Sequence, residues 1–189
     1  AAGRKTTETN ANQEVIAYSY SPAGDLLTLA DGKSQVTTWG YDIFGRVTNK
    51  VDAASNLLFV YKYDPDNRLT NRWSATKGGT AYSYDTVGNL TKVDYPASPD
   101  ITLKYDVLNR LTNMVDAVGT TVYGYDPAGL LLSEDGPWAS DTVNYTYQHQ
   151  LRTSMNIQAP NASAWTQNYV YDPMRRLLSL TSPAGTFGY

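Results

Sequence analysis

The stretch "YDPDNRLTNRWS", Tyr63 to Ser74, has near-copies at "YDIFGRVTNKVD", Tyr41 to Asp52, and "YDVLNRLTNMVD", Tyr105 to Asp116. Extending the comparison in both directions puts tyrosines in phase at Tyr20, Tyr41, Tyr63, Tyr84, Tyr105, Tyr125, Tyr147 and Tyr171, with a last one at Tyr189. Their spacings are 21, 22, 21, 21, 20, 22, 24 and 18 residues. A period near 21 residues carried along the whole chain marks a tandem array in which each unit is one small supersecondary element.

The residues after each anchor tyrosine define the element. Asp follows in six units, at Asp42, Asp64, Asp85, Asp106, Asp126 and Asp172, and Gly or Asn stands four residues after the anchor at Gly24, Gly45, Asn67, Gly88, Asn109 and Gly129. Asx side chains bond the backbone two residues on, and Gly and Asn tolerate the left-handed conformation, so the spacing predicts a type I turn closed by a left-handed residue with a bulge. Pro22, Pro65, Pro127 and Pro173 stand two after the anchor, where a fixed φ suits the turn. Before the turn, aromatic pairs such as Tyr18/Tyr20, Trp39/Tyr41, Tyr61/Tyr63, Tyr123/Tyr125 and Tyr169/Tyr171 alternate with small or polar residues, which places each pair on one face of a strand. Leu26, Val47, Leu69, Leu90, Leu111, Leu131 and Leu177, six after the anchor, mark the return strand; Thr153 is the exception. The sequence therefore predicts an all-β chain of about eight hairpins without a helix, a single array over 1–189. Its connectors are "DGKSQ", "TKGG" and "DYPASPD", and its degenerate unit, Tyr147 to Val170, is expected to be irregular or bent.

The repeated Y-D-x-x-G/N-R-L/V-T pattern resembles the YD repeat of the RHS (rearrangement hotspot) family, and the resemblance covers essentially the whole chain. It implies a long twisted β-strip forming part of a spiralling hollow shell, as in polymorphic toxins, the cocoon components of Tc toxins, wall-associated proteins and teneurins. "AAGRKT" fits the second half of a repeat and Tyr189 is an anchor, so the chain reads as an excerpt of a longer array. The matching phase of the two ends raises the expectation of end-to-end self-association.

Composition narrows the function classes. Fifteen Lys and Arg against 18 Asp and Glu give a net charge of −3, without the basic surface that nucleic acid or an anionic membrane requires. The longest apolar run, Leu57 to Tyr61, is far short of the roughly 20 residues that span a bilayer. Sixteen tyrosines against three phenylalanines suit surfaces packed at one end and wet at the other. The chain has no cysteine, hence no disulfide or thiolate site, and a lone His149 leaves at most one candidate for histidine chemistry.

Residues present in many equivalent copies fit turn chemistry better than catalysis. The Asp of each turn is expected to cap it, and Arg46, Arg68, Arg110, Arg152 and Arg176, five after the anchor, to pair with an Asp of the same or an adjacent hairpin. Toxin-type members of the family often carry a DPxG motif linked to aspartyl self-cleavage. Asp126, Pro127 and Gly129 fit that string, but another repeat follows and no second copy exists, so Asp126 reads as an ordinary turn. Gly78 and Gly79 read as a loop rather than a phosphate cradle, and Asn89, Asn144 and Asn161 head glycosylation sequons. Trp39, Trp73, Trp138 and Trp165 do not recur as tryptophan in register and are candidate platforms for a glycan. Taken together, these readings predict a non-catalytic structural segment of a large extracellular or cell-surface protein, with no cofactor. Its partners would be the remainder of the array and an enclosed C-terminal cargo. A carbohydrate- or protein-binding module and a filament-forming array are the alternatives.

Overall fold

A computed structural model describes residues 3–159 and 162–189. All the regular structure among the described residues is β-strand. The chain divides into two compact units, one of residues 1–83 with 93–98 and one of residues 84–92 with 99–189.

The first unit holds β1 (Thr7–Thr9), β2 (Val15–Tyr20), β3 (Leu26–Ala30), β4 (Val36–Tyr41), β5 (Val47–Val51), β6 (Leu57–Tyr63), β7 (Leu69–Ser74) and β8 (Gly78–Tyr84). Each strand from β1 to β8 pairs antiparallel with its neighbour in the chain, giving an uninterrupted meander. After β9 (Leu90–Asp94), the second unit continues with β10 (Ile101–Tyr105), β11 (Leu111–Val115), β12 (Thr120–Tyr125), β13 (Leu131–Asp135) and β14 (Val143–Gln148). It ends with β15 (Leu151–Ala159), β16 (Ala162–Tyr171), β17 (Leu177–Ser182) and β18 (Gly185–Gly188). From β10 to β18 the pairing is again antiparallel between chain neighbours.

Register sorts the side chains into two unlike faces. In the first unit Tyr18 lies opposite Leu29, Lys50 lies between Trp39 and Phe59, and Tyr61 lies opposite Arg72. Phe59 and Tyr61 stack with ring centroids 6.1 Å apart. The other face carries Ser19 opposite Thr28, their hydroxyls 2.5 Å apart, and Gly40 opposite Asn49. The second unit repeats the division, with Tyr123, Tyr145 and Tyr169 opposite Glu134, Met155 and Leu180, and Gly124 and Thr146 opposite Ser133 and Ser154. Such cross-strand pairs stabilise a sheet by about 0.2–1 kcal/mol each. No described side chain is fully buried, so each unit is held together mainly by strand pairing and half-covered rings rather than by an enclosed core.

Seven anchor tyrosines coincide with a register shift, between Ser19 and Tyr20, Gly40 and Tyr41, Lys62 and Tyr63, Lys104 and Tyr105, Gly124 and Tyr125, Thr146 and Tyr147, and Val170 and Tyr171. Lys62 faces Asn71 while Tyr63 faces Leu69, leaving Thr70 as the extra residue of a β-bulge. Its hydroxyl donates to the Lys62 carbonyl at 3.2 Å, and Thr112 does the same to Lys104 at 3.1 Å. The threonine of the repeated "RLT" thus closes the bulge that the turn imposes.

Two parts of the sequence reading are corrected. Gly78 and Gly79 begin β8, opposite Ser74 and Trp73, rather than forming a loop: Gly78 has φ +75° at the strand entry, and Trp73 covers the bare Gly79 position. Arg152 does not pair with a turn Asp. The degenerate unit turns through His149 and Gln150 alone, φ +51° and +65°, a two-residue hairpin that sets Arg152 directly opposite Tyr147.

Candidate functional site

The turns after the anchors form the site to which most of the repeated chemistry goes. At Asp42 the backbone N–H donates to the Arg46 carbonyl and the Gly45 N–H to the Asp42 carbonyl, both at 3.0 Å, which closes a type I turn with Gly45 at φ +77°. One carboxylate oxygen of Asp42 accepts from the N–H of Phe44 (2.9 Å) and Arg46 (3.0 Å), and the other from Arg46 Nε at 2.6 Å. Asp64, Asp106 and Asp172 hold Arg68, Arg110 and Arg176 in the same way. Asn67 and Asn109 supply the left-handed residue at φ +69° and +61°, Gly24, Gly88 and Gly129 at +110°, +96° and +90°. At Asp126 the carboxylate accepts from the Leu130 N–H (2.8 Å) and the peptide bonds match the other turns. In the first repeat Ser21 takes the place of Asp, its Oγ accepting from the N–H of Gly24 and Asp25.

These bonds set the charge state of the turns. The backbone N–H of Arg110 and of Arg176, followed by their guanidinium groups, hold Asp106 and Asp172 below the usual carboxylate value of 3.8. At Asp42, Asp64 and Asp85 desolvation pushes the other way, but backbone and side-chain donors outweigh it and these carboxyls are also lowered.

The same side chains reach across repeats. The anchor hydroxyls of Tyr41, Tyr63, Tyr105 and Tyr125 donate to the carbonyls of Leu26 (2.8 Å), Val47 (3.0 Å), Leu90 (2.9 Å) and Leu111 (2.9 Å), the first residue of the return strand one repeat earlier. Tyr20 reaches Lys5 at 2.8 Å in the same manner. In the opposite direction Arg46 Nη1 donates to Asn67 Oδ1 (2.7 Å) and the Asp64 carbonyl (3.3 Å) of the following turn, while its guanidinium carbon lies 4.6 Å from the centre of the Tyr63 ring. Arg110 reaches the Asp126 carbonyl at 2.9 Å and sits 4.8 Å over Tyr125. Asn89 substitutes for arginine between Asp85 and Asn109, 2.9 Å from each. Neighbouring turns are therefore tied to one another from Lys5 to Asn67 in the first unit and from Asp85 to Asp126 in the second. In the degenerate unit Arg152 instead lies 4.2 Å over Tyr145, whose hydroxyl is pushed up to about 12 by burial and by its bond to Glu134.

Two of these functions were absent from the sequence reading. The tyrosine hydroxyl's destination is a backbone carbonyl, which has no sequence signature. The connectors on the far edge are turns rather than plain loops: Asp31 and Asp52 build the same turn there, bonding Lys33, Gln35, Ala54 and Asn56, with Ser34 and Ser55 at φ +61° and +64°. The available signal was that Asp31, Asp52 and Asp116 each stand eleven residues after an anchor.

The four tryptophans occupy different settings. Trp39 stands two before Tyr41 on the aromatic face, with Lys50 Nζ 5.3 Å over its ring, and Trp73 lies on the opposite face of the same unit. In the second unit Trp138 is 62% exposed in the connector after β13, and Trp165 lies on β16 opposite Ile157. His149 is exposed at its turn, Asn89 is engaged as described, Asn144 is exposed on β14, and Asn161 lies outside the described residues. Among the described residues no group of three or more His, Cys, Asp or Glu could hold a metal ion, and no helix is long and apolar enough to cross a membrane.

The family description "Teneurin YD-shell" matches residues 40–185, most of the chain. The chain belongs to the teneurin YD-shell family. "RHS Repeat" matches residues 20–56 in addition. Teneurin-4 of Mus musculus is 31% identical over 147 residues, 75% of this chain and 5% of that protein. Teneurin-1 of Mus musculus is 28% identical over 181 residues, 93% of this chain and 6% of that protein. A solved TcdB2-TccC3 structure without its hypervariable C-terminal region superposes with a TM-score of 0.73 at 16% identity, over 88% of this chain and 10% of that one, which speaks for the fold. The chain thus spans about 5–6% of these curated relatives.

Proposed function

We propose that this chain is a non-catalytic wall segment of a longer YD-shell protein, outside the cell or at its surface, and that the shell to which it contributes encloses a cargo. The observation that supports this reading is how the repeated polar groups are engaged: the turn carboxylates hold the backbone and arginine of their own turn, and guanidinium and phenol groups reach the neighbouring repeat. The repeat phase runs through all nine anchors, so residues 1–189 form one array whose first partner is the remainder of the same array. TcdB2-TccC3 is known with and without a hypervariable C-terminal region, and a separable C-terminal segment of that kind is the class of cargo proposed here.

The test is limited proteolysis of the full-length parent protein. Its C-terminal segment should resist protease until the repeats are unfolded; digestion at the rate of the same segment free in solution rules enclosure out. The non-catalytic reading is tested separately, because cleavage beside Asp126 during long incubation of the purified chain would overturn it. A glycan-binding role draws support from the exposure of Trp138 and, to a smaller extent, of Trp165 and Trp73, and a glycan array compared with the alanine variant of each decides it.

A further inference from the structure

The most deeply buried of the described residues cluster at one place in the first unit: Ser74 (3% exposed), Thr80 (5%) and Val93 (8%). Two of the three are polar. Residues 93–98 belong to this unit, and Pro96 lies against the start of β8, its Cγ coming within 3.2 Å of where a Cβ on Gly78 would sit. Beside this contact is a cavity of about 620 Å³ lined by Arg72, Thr76, Lys77, Thr80, Tyr95 and Ser98.

Arg72 departs from the pattern of the turn arginines. Arg46, Arg68, Arg110 and Arg176 each hold an Asp four residues away. Arg72 is set by register between Tyr61 and Thr80, its guanidinium carbon 5.8 Å from the Phe59 ring. Its Nε is buried and meets no acceptor of the protein. A buried donor on a permanent cation is costly without an acceptor, and an oxyanion offers several oxygens to the guanidinium fork. Lys77 adds a second cation at the rim, its position fixed by its backbone N–H donating to Ser74 Oγ at 3.1 Å. Thr76, Thr80 and Ser98 add hydroxyl donors, and the lining contains no carboxylate. In a chain of net charge −3 this is a local positive concavity, built from two residues that the repeat does not require.

We propose that this cavity binds a tetrahedral oxyanion, a phosphate or sulfate group, either free or esterified to a sugar. Arg72 grips the anion, Lys77 adds charge, and the hydroxyls orient its remaining oxygens.

The experiment is a titration of the isotope-labelled 189-residue chain with inorganic phosphate, following the Arg72 Nε–H resonance by NMR. A saturable shift of that resonance, with accompanying shifts from Lys77 to Thr80, is expected. Arg72→Gln should weaken binding by at least about tenfold, the weight of one charge-assisted hydrogen bond, and Lys77→Gln severalfold with the fold intact. Should Arg72→Gln fail to fold, Lys77→Gln and the native Arg72 resonance carry the test. An Arg72 resonance that stays still while exposed Lys and Arg signals move overturns the proposal, as does phosphate affinity unchanged by Lys77→Gln. Tighter binding of glucose 6-phosphate than of phosphate, with no binding of glucose, identifies an esterified ligand; equal affinities identify the free anion.

Discussion

The tyrosine at the end of the outgoing strands β4, β6, β10 and β12 has a role that phenylalanine cannot fill. The hydroxyls of Tyr41, Tyr63, Tyr105 and Tyr125 reach carbonyls 14–16 residues back, and the rings of Tyr63 and Tyr125 also pack beside the arginine of the repeat before. Tyr63→Phe should therefore lower stability by about 0.5–1.5 kcal/mol in urea denaturation, the worth of one hydrogen bond with its acceptor left behind. Tyr189→Phe, at a position 75% exposed, should change it negligibly. The turn itself gives a second contrast: Gly45 sits at φ +77°, so Gly45→Val should lower the melting temperature clearly, whereas Gly45→Asn should be mild because Asn67 and Asn109 adopt the same conformation. Equal melting temperatures for the two variants would contradict the turn's role. Turn chemistry was legible in the sequence because it is local: Asp, the Gly or Asn and the spacing between them state the geometry within five residues. The hydroxyl bond was not, because its acceptor belongs to the backbone of another repeat.

At the scale of the hairpin, arginine relays one turn to the next, and the fork geometry of its guanidinium matters more than its charge. Arg110→Lys keeps the charge but loses either the Asp106 or the Asp126 contact, so its unfolding midpoint should fall; an unchanged midpoint would show that charge alone suffices. The degenerate hairpin offers the reverse experiment. His149 and Gln150 both adopt positive φ, a type I′ turn that Asn-Gly fills without strain. The double substitution His149→Asn, Gln150→Gly should raise stability by about 1 kcal/mol, read from thermal or urea unfolding. Here the sequence showed that the unit was irregular but not how. Gln148 lacks the carboxylate that organises the five-residue turn, and the chain takes a shorter route that moves Arg152 from the turn onto the tyrosine rings. The far-edge turns at Asp31 and Asp52 were overlooked for a related reason, since serine at a left-handed position is a weak signal compared with Gly or Asn.

Across the whole chain the turn carboxylates act in concert with pH. Asp42, Asp52, Asp64, Asp85, Asp106 and Asp172 all have folded values lowered from 3.8. A lowered folded value contributes stability that is fully present above the unfolded value and is lost as pH falls through the folded one. The melting temperature should therefore hold from neutrality to mildly acid conditions and drop below about pH 4, and Asp106→Asn should flatten part of that drop. The scarcity of enclosed side chains has a calorimetric consequence. A compact chain of this length would show a heat-capacity increment of unfolding of about 2.3–2.8 kcal/mol/K, most of it from apolar surface newly exposed to water. With rings already half-wetted when folded, the increment here should fall well short of that in scanning calorimetry. A smaller increment makes the curve of stability against temperature shallower, so the repeats should lose little of their strength on chilling and be slow to approach cold denaturation.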